Sequence, residues 1–158
     1  MIGAAGSGKS TFARKHFSST EIVSSDALRA AVSDDEGDQS ASADAFQLLR
    51  LITTKRLARG KLTVIDATNV VPKARRSLLA LARNHQPTIA IVLHLPVEIC
   101  MVRNQSRTGR KVAREVVEKQ AADLLASLPE LAREGFRLVY VLDNPGDIDS
   151  AQVFRQPD

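Results

Sequence analysis

Gly3-Ala4-Ala5-Gly6-Ser7-Gly8-Lys9-Ser10 lies at the start of the chain and decides its fold. The octet matches G-x-x-x-x-G-K-[ST] at every fixed position. Glycines so placed let the backbone curl until successive N–H groups point inward at phosphate oxygens. The stretch Lys9 to Phe17 has helical periodicity, and a helix beginning there aims its positive end at the same spot. Lys9 would then reach the β- and γ-phosphates, while the Ser10 hydroxyl would hold Mg²⁺. Backbone contacts to the phosphates are expected from Gly3, Ala4, Ala5, Gly6, Ser7 and Gly8, continuing through Lys9, Ser10 and Thr11.

Outward from the cradle, short apolar runs of strand type alternate with longer helical stretches. Glu21 to Ser24 is a short strand, Asp26 to Val32 a helical turn or two, and Ala41 to Arg59 a longer helix with Phe46, Leu49, Ile52 and Leu57 near one face. Leu62 to Ile65 is a buried-type strand ending on Asp66, followed by a helix from Pro72 to Asn84 with proline in its first turn. Thr88 to Leu95 is the strongest strand. Val97 to Arg107 is helical, Thr108-Gly109 breaks it, and Val112 to Leu128 resumes. Arg137 to Leu142 is the last strand. The alternation predicts one α/β domain over residues 1–158, a parallel sheet with helices on both faces. A phosphate loop normally follows a buried strand, yet only Met1 and Ile2 precede Gly3. The first, central strand is therefore expected to be clipped, with the sequence beginning inside the natural domain.

Bulk properties narrow the class. The chain has 158 residues, 44% hydrophobic and 25% charged, an ordinary globular composition. No apolar run nears the ~20 residues of a membrane-spanning helix, and no signal peptide precedes the loop. The single cysteine, Cys100, excludes an internal disulfide and reads as core filling. The cytoplasm is the expected compartment, with no membrane partner. Net charge is +4, and residues 103 to 119 hold Arg103, Arg107, Arg110, Lys111, Arg114 and Lys119 against Glu115 and Glu118. Residues 34 to 38 are acidic.

Three further groups have the residue types that phosphoryl transfer needs. Ser24-Ser25-Asp26-Ala27-Leu28-Arg29 follows a strand, where α/β folds place ligand-contacting groups. Asp26 reads equally as a helix N-cap or as a general base for an acceptor hydroxyl, with Arg29 one turn on to hold an acceptor phosphate. Thr63-Val64-Ile65-Asp66 has the form of a Walker B strand, and Asp66 could order Mg²⁺ through water. Arg103, Arg107 and Arg110, spaced four and three apart, would share a helix face. That face is either solvated or a lid over the donor phosphates, spanning about residues 103–120. The histidines fit no catalytic arrangement, and Tyr140 reads as core.

Together these segments resemble the kinase module of bacterial polynucleotide kinase-phosphatases, the RNA end-healing enzymes of the P-loop kinase superfamily. The resemblance spans the chain through GSGKSTFARKHF, EIVSSDALRAAVSDDEGDQS, GKLTVIDATNV, RNQSRTGR and REGFRLVYVL. It implies a P-loop kinase fold that transfers the γ-phosphate of ATP, with Mg²⁺, to the 5′-hydroxyl of RNA or DNA. It implies Lys9 and Ser10 on phosphates and metal, Asp26 as base and Arg29 on the acceptor's phosphate. Arg103 and Arg107 would be lid arginines on the donor phosphates, with Arg110 at the lid's next basic position. The physical reading of the residues assigns the acidic run no ligand: that run either shapes the acceptor entrance or is solvated. In the fullest members phosphatase and ligase-like modules follow, so such modules are expected fused to or associated with this one. A kinase of sugars, nucleosides or antibiotics would share the cradle and the Asp. A nucleotide switch or regulatory ATPase would leave Asp26 and Arg29 without an acceptor.

Overall fold

A computed structural model describes residues 1–85 and 87–155. Its strands are β1 (Ile22–Ser24), β2 (Val64–Asp66), β3 (Ile89–Leu93) and β4 (Leu138–Leu142). β1 pairs with β2 and β3 with β4, both in parallel, with Ser24 opposite Asp66 and Leu93 opposite Leu142. Residues 1–3 fill the row between the two pairs. Ile2 is bridged to Val92, donating its N–H to the Ile91 carbonyl at 2.9 Å and accepting from the Leu93 N–H at 2.8 Å. On the other side the Met1 amino group donates to the Ile65 carbonyl at 3.0 Å and Gly3 N–H to Thr68 O at 2.9 Å. Ile2 is thus a single bridge at the centre of an all-parallel array, and all strand ends that follow point to one rim.

Among the described residues seven α-helices surround the array: α1 (Lys9–His16), α2 (Ser25–Ser33), α3 (Ser42–Leu57), α4 (Pro72–Ala82), α5 (Val97–Gln105), α6 (Arg114–Ser127) and α7 (Pro145–Ser150). Side chains alternate between the two faces of a strand, and β3 shows it. Ala90 and Val92 join Ile2, Val70, Leu124 and Leu131 in one apolar cluster. Leu93, with Ile91 against it, joins Ala4, Phe12, Cys100, Val117 and Ile148 in the other. The α/β architecture with helices on both faces is the expected one.

Four local expectations change. α3 buries Ala45, Leu49 and Thr53 at a spacing of four, continuing from Ala41, and leaves Phe46 38% exposed; the small residues allow close approach, whereas Phe46 falls one position off that stripe. Tyr140 is 52% exposed, because β4 pairs on one side only and has thin cover on its faces. α7 was not expected; Asn144 caps it by accepting from Asp147 N–H at 2.8 Å, with Pro145 in its first turn. Finally, α5 stops at Gln105 and α6 starts at Arg114. Arg103, Arg107 and Arg110 therefore share no helix face, and the lid crosses as a loop.

Candidate active site

The donor side is built from backbone. Gly8, at φ 99°, turns the chain into α1, whose first turn has no side-chain cap. Its leading N–H groups, the positive end of the helix dipole, are left for an anion. Gly6 sits at φ 82° against α5, where a Cβ would run into the Cys100 carbonyl. The cradle is buried throughout Gly3 to Ser7. Gln120 on α6 supports it, its Oε1 accepting the Ala5 N–H at 2.8 Å.

Lys9 is 7% exposed, and its ammonium donates to the Ala4 carbonyl at 2.8 Å. Burial lowers its pKa to about 8, with the nearby Asp66 charge opposing the shift and the Arg107 charge adding to it. The Lys9 ammonium thus feels both charges. Asp66 ends β2 and is 6% exposed, and its carboxylate has no hydrogen bond or ion pair among the described residues. The Ser10 hydroxyl, in the first turn of α1, likewise has no partner among them. A hydroxyl and an unengaged buried carboxylate are hard oxygen donors that fit Mg²⁺, which takes few protein ligands beside phosphate and water. Among the described residues no cluster of three His, Cys, Asp or Glu could replace that arrangement. Arg103 comes from α5, its Nη1 3.6 Å from where a Gly8 Cβ would sit. Thr11 is exposed on α1.

A second cluster, at the start of α2, is built from side chains. Ser24 caps α2, accepting from Ala27 N–H at 3.4 Å. Asp26 is therefore in the first turn and not the cap, which frees its carboxylate. Asp26 Oδ1 accepts from Arg29 Nη2 and from Arg110 Nη1, the latter at 3.1 Å. Oδ2 has no partner among the described residues, and the Asp26 side chain is 37% exposed. Arg29 is 4% exposed and also donates through Nε to the Glu36 carbonyl at 2.9 Å; its Nη1 has no partner among the described residues. Burial and the neighbouring Arg110 charge lower the Arg29 pKa while Glu36 opposes them. Arg110 thus faces Asp26 and not the cradle.

Three structural residues escaped the sequence reading. Asn104 clamps the lid at its base, with Nδ2 donating to Val112 O at 2.7 Å and Oδ1 accepting from Val112 N–H at 3.0 Å. Buried Arg75 donates to both carboxylate oxygens of Glu134 and to the carbonyls of Asn69 (3.0 Å) and Val70 (2.8 Å). It thereby fixes the segment after Asp66, where Asn69 takes φ 50°. Glu36 is the third. A charged residue inside an amphipathic helix, as Arg75 is in α4, was the one available signal.

Comparison with known proteins agrees with this geometry. A family model described as AAA domain matches residues 1–131 of the 158. A protein of Arabidopsis thaliana named transcription factor bHLH140 is 29% identical over 157 residues, covering 96% of this chain and 16% of that protein. The chain thus spans about a sixth of the length of the curated relative it matches. With a match over most of its length and a formed phosphate cradle, the chain belongs to this AAA domain family (AAA_33), whose P-loop members are nucleotide-binding NTPases and kinases.

Proposed function

We propose that this domain transfers the γ-phosphate of ATP to the 5′-hydroxyl end of a polynucleotide. One observation carries the reading. Asp26 is held by two guanidinium groups through Oδ1 alone, so Oδ2 is left at an open rim to take a proton. A nucleotide switch has no use for a carboxylate presented in that way.

The roles follow from position. Lys9, Arg103 and Arg107 neutralise the donor phosphates, and Ser10 with Asp66 would hold Mg²⁺, which spreads the charge of the transferred group. Asp26 Oδ2 accepts the acceptor's hydroxyl proton as its oxygen bonds to the γ-phosphorus and the bond to the leaving ADP oxygen breaks. Arg29 fixes the base, and its free Nη1 is the donor left for an acceptor phosphate. A carboxylate 37% exposed suits a chain end better than an enclosed metabolite. The resemblance of the SDDEGDQ and DATN runs to polynucleotide kinases adds to this. With five Phe, one Tyr and no Trp, base stacking is scarce and weak dependence on base identity is expected. Phosphatase and ligase modules, fused or associated, would complete an end-healing set.

The test is transfer from labelled ATP to a 5′-hydroxyl oligonucleotide, run beside nucleosides, sugars and aminoglycosides. Labelled oligonucleotide is the expected product. Labelled metabolite with an unlabelled oligonucleotide would assign the site to a small-molecule kinase.

A further inference from the structure

The acidic run at residues 34–38 has no ligand in the function proposed above, yet it touches the lid. Glu36 Oε1 accepts the backbone N–H of Arg110 at 2.7 Å, across 74 residues of sequence. The neighbouring lid residue is Gly109, and a Cβ there would collide with the same Oε1. The other end of Glu36, its carbonyl, accepts from Arg29 Nε at 2.9 Å. One residue thus joins the two guanidinium groups that hold Asp26, one through the lid backbone and one through its own backbone. Among the described residues the lid is otherwise held by the Arg110 side chain on Asp26 and at its base, where Asn104 clamps Val112.

We propose that Glu36 is a positioning residue that latches the lid to the acceptor loop, so that Arg110 reaches Asp26 only while the latch is made. The bond goes to a backbone N–H, so the latch fixes where the lid lies whatever its side chains do. It also accounts for Gly109, whose φ is not in the left-handed region and whose lack of a side chain serves the approach of Glu36. As a residue that acts on acceptor placement, Glu36 rests on the kinase reading; as a latch, it does not.

The test separates the two. Trypsin cuts after Arg107, Arg110 and Lys111, so nicking at these sites in the free protein reports release of the lid. Glu36→Ala should raise nicking there roughly tenfold, since a hydrogen bond to a charged group is lost, with cleavage elsewhere unchanged. Glu36→Gln keeps an oxygen that accepts from Arg110 N–H and should stay near the parent. Gly109→Ala displaces only the flexible end of Glu36, leaves the fold intact, and should mimic Glu36→Ala without adding to it in the double variant. Parent-like nicking in Glu36→Ala, equal nicking in the Ala and Gln variants, or additive effects in the double variant would each overturn the latch. In the transfer assay Glu36→Ala should raise the acceptor KM severalfold while the ATP KM holds and Glu36→Gln restores it. An unmoved acceptor KM alongside faster nicking would keep the latch and overturn its role in acceptor placement. If the parent transfers no phosphate to oligonucleotide, the function reading fails, and nicking still decides the latch.

Discussion

The two halves of the site are made of different material. The donor half is backbone, namely N–H groups of a glycine-rich turn and a helix start, with Lys9 folded over them. Its glycines are fixed by contacts such as Gly6 against the Cys100 carbonyl. The acceptor half is a set of charged side chains from three segments, in which Asp26, Arg29, Arg110 and Glu36 hold one another. A backbone cradle tolerates most side-chain changes and fails when a glycine gains a Cβ. A charge network fails on loss of a single carboxylate and leaves the cradle's main chain in place.

The sharpest way to break that contrast is Asp26→Ala. Loss of a general base costs about 10²–10⁴ in rate, so turnover should fall by that factor. Among the described residues the Asp26 side chain shares no hydrogen bond or ion pair with the donor cradle, so ATP affinity by titration calorimetry should stay within a few-fold. A matching loss of ATP affinity would mean that the halves are one structure and not two.

Gly6→Ala is the converse. It places a side chain at φ 82° and against the backbone of α5, which cannot swing away as a side chain could. A positive-φ penalty plus a backbone clash should cost about 2–4 kcal/mol of stability in urea denaturation, and nucleotide affinity should fall with it. If stability held, the cradle would not be packed tightly against α5.

This contrast also explains what the sequence could disclose. The cradle is local: eight consecutive residues set it, and a strand before and a helix after are its only requirements. The strand-ending Asp66 and the helix-starting Asp26 were legible on the same ground, since strand and helix ends can be read from periodicity. The lid was not. Spacings of four and three between the arginines suggested one helix face, but Asn104 ends α5 by pairing with the Val112 backbone and turns the intervening residues into a loop. Arg110 reaches Asp26 across 84 residues, and no local pattern encodes such a contact. The acidic run was open between shaping the acceptor entrance and being solvated for the same reason. Phe46 and Tyr140 failed differently, because hydrophobicity marks a residue fit for burial without saying whether anything covers it.

The smallest effect probes the lysine folded over the donor cradle. Lys9 has its pKa lowered to about 8 from 10.5 by burial. The folded protein has therefore shed a proton between those values that the unfolded chain still holds, so this group's penalty on stability is present below pH 8 and fades as pH rises through the window. Donor phosphates beside the ammonium would reverse the shift by restoring a counter-charge. At pH 8 Lys9 is about half protonated when free, so binding of MgATP should take up on the order of half a proton. Calorimetry in buffers of different ionisation heat measures that uptake directly. A value near zero would mean that the phosphates do not bring their charge to Lys9, and the cradle would then hold its ligand by backbone alone.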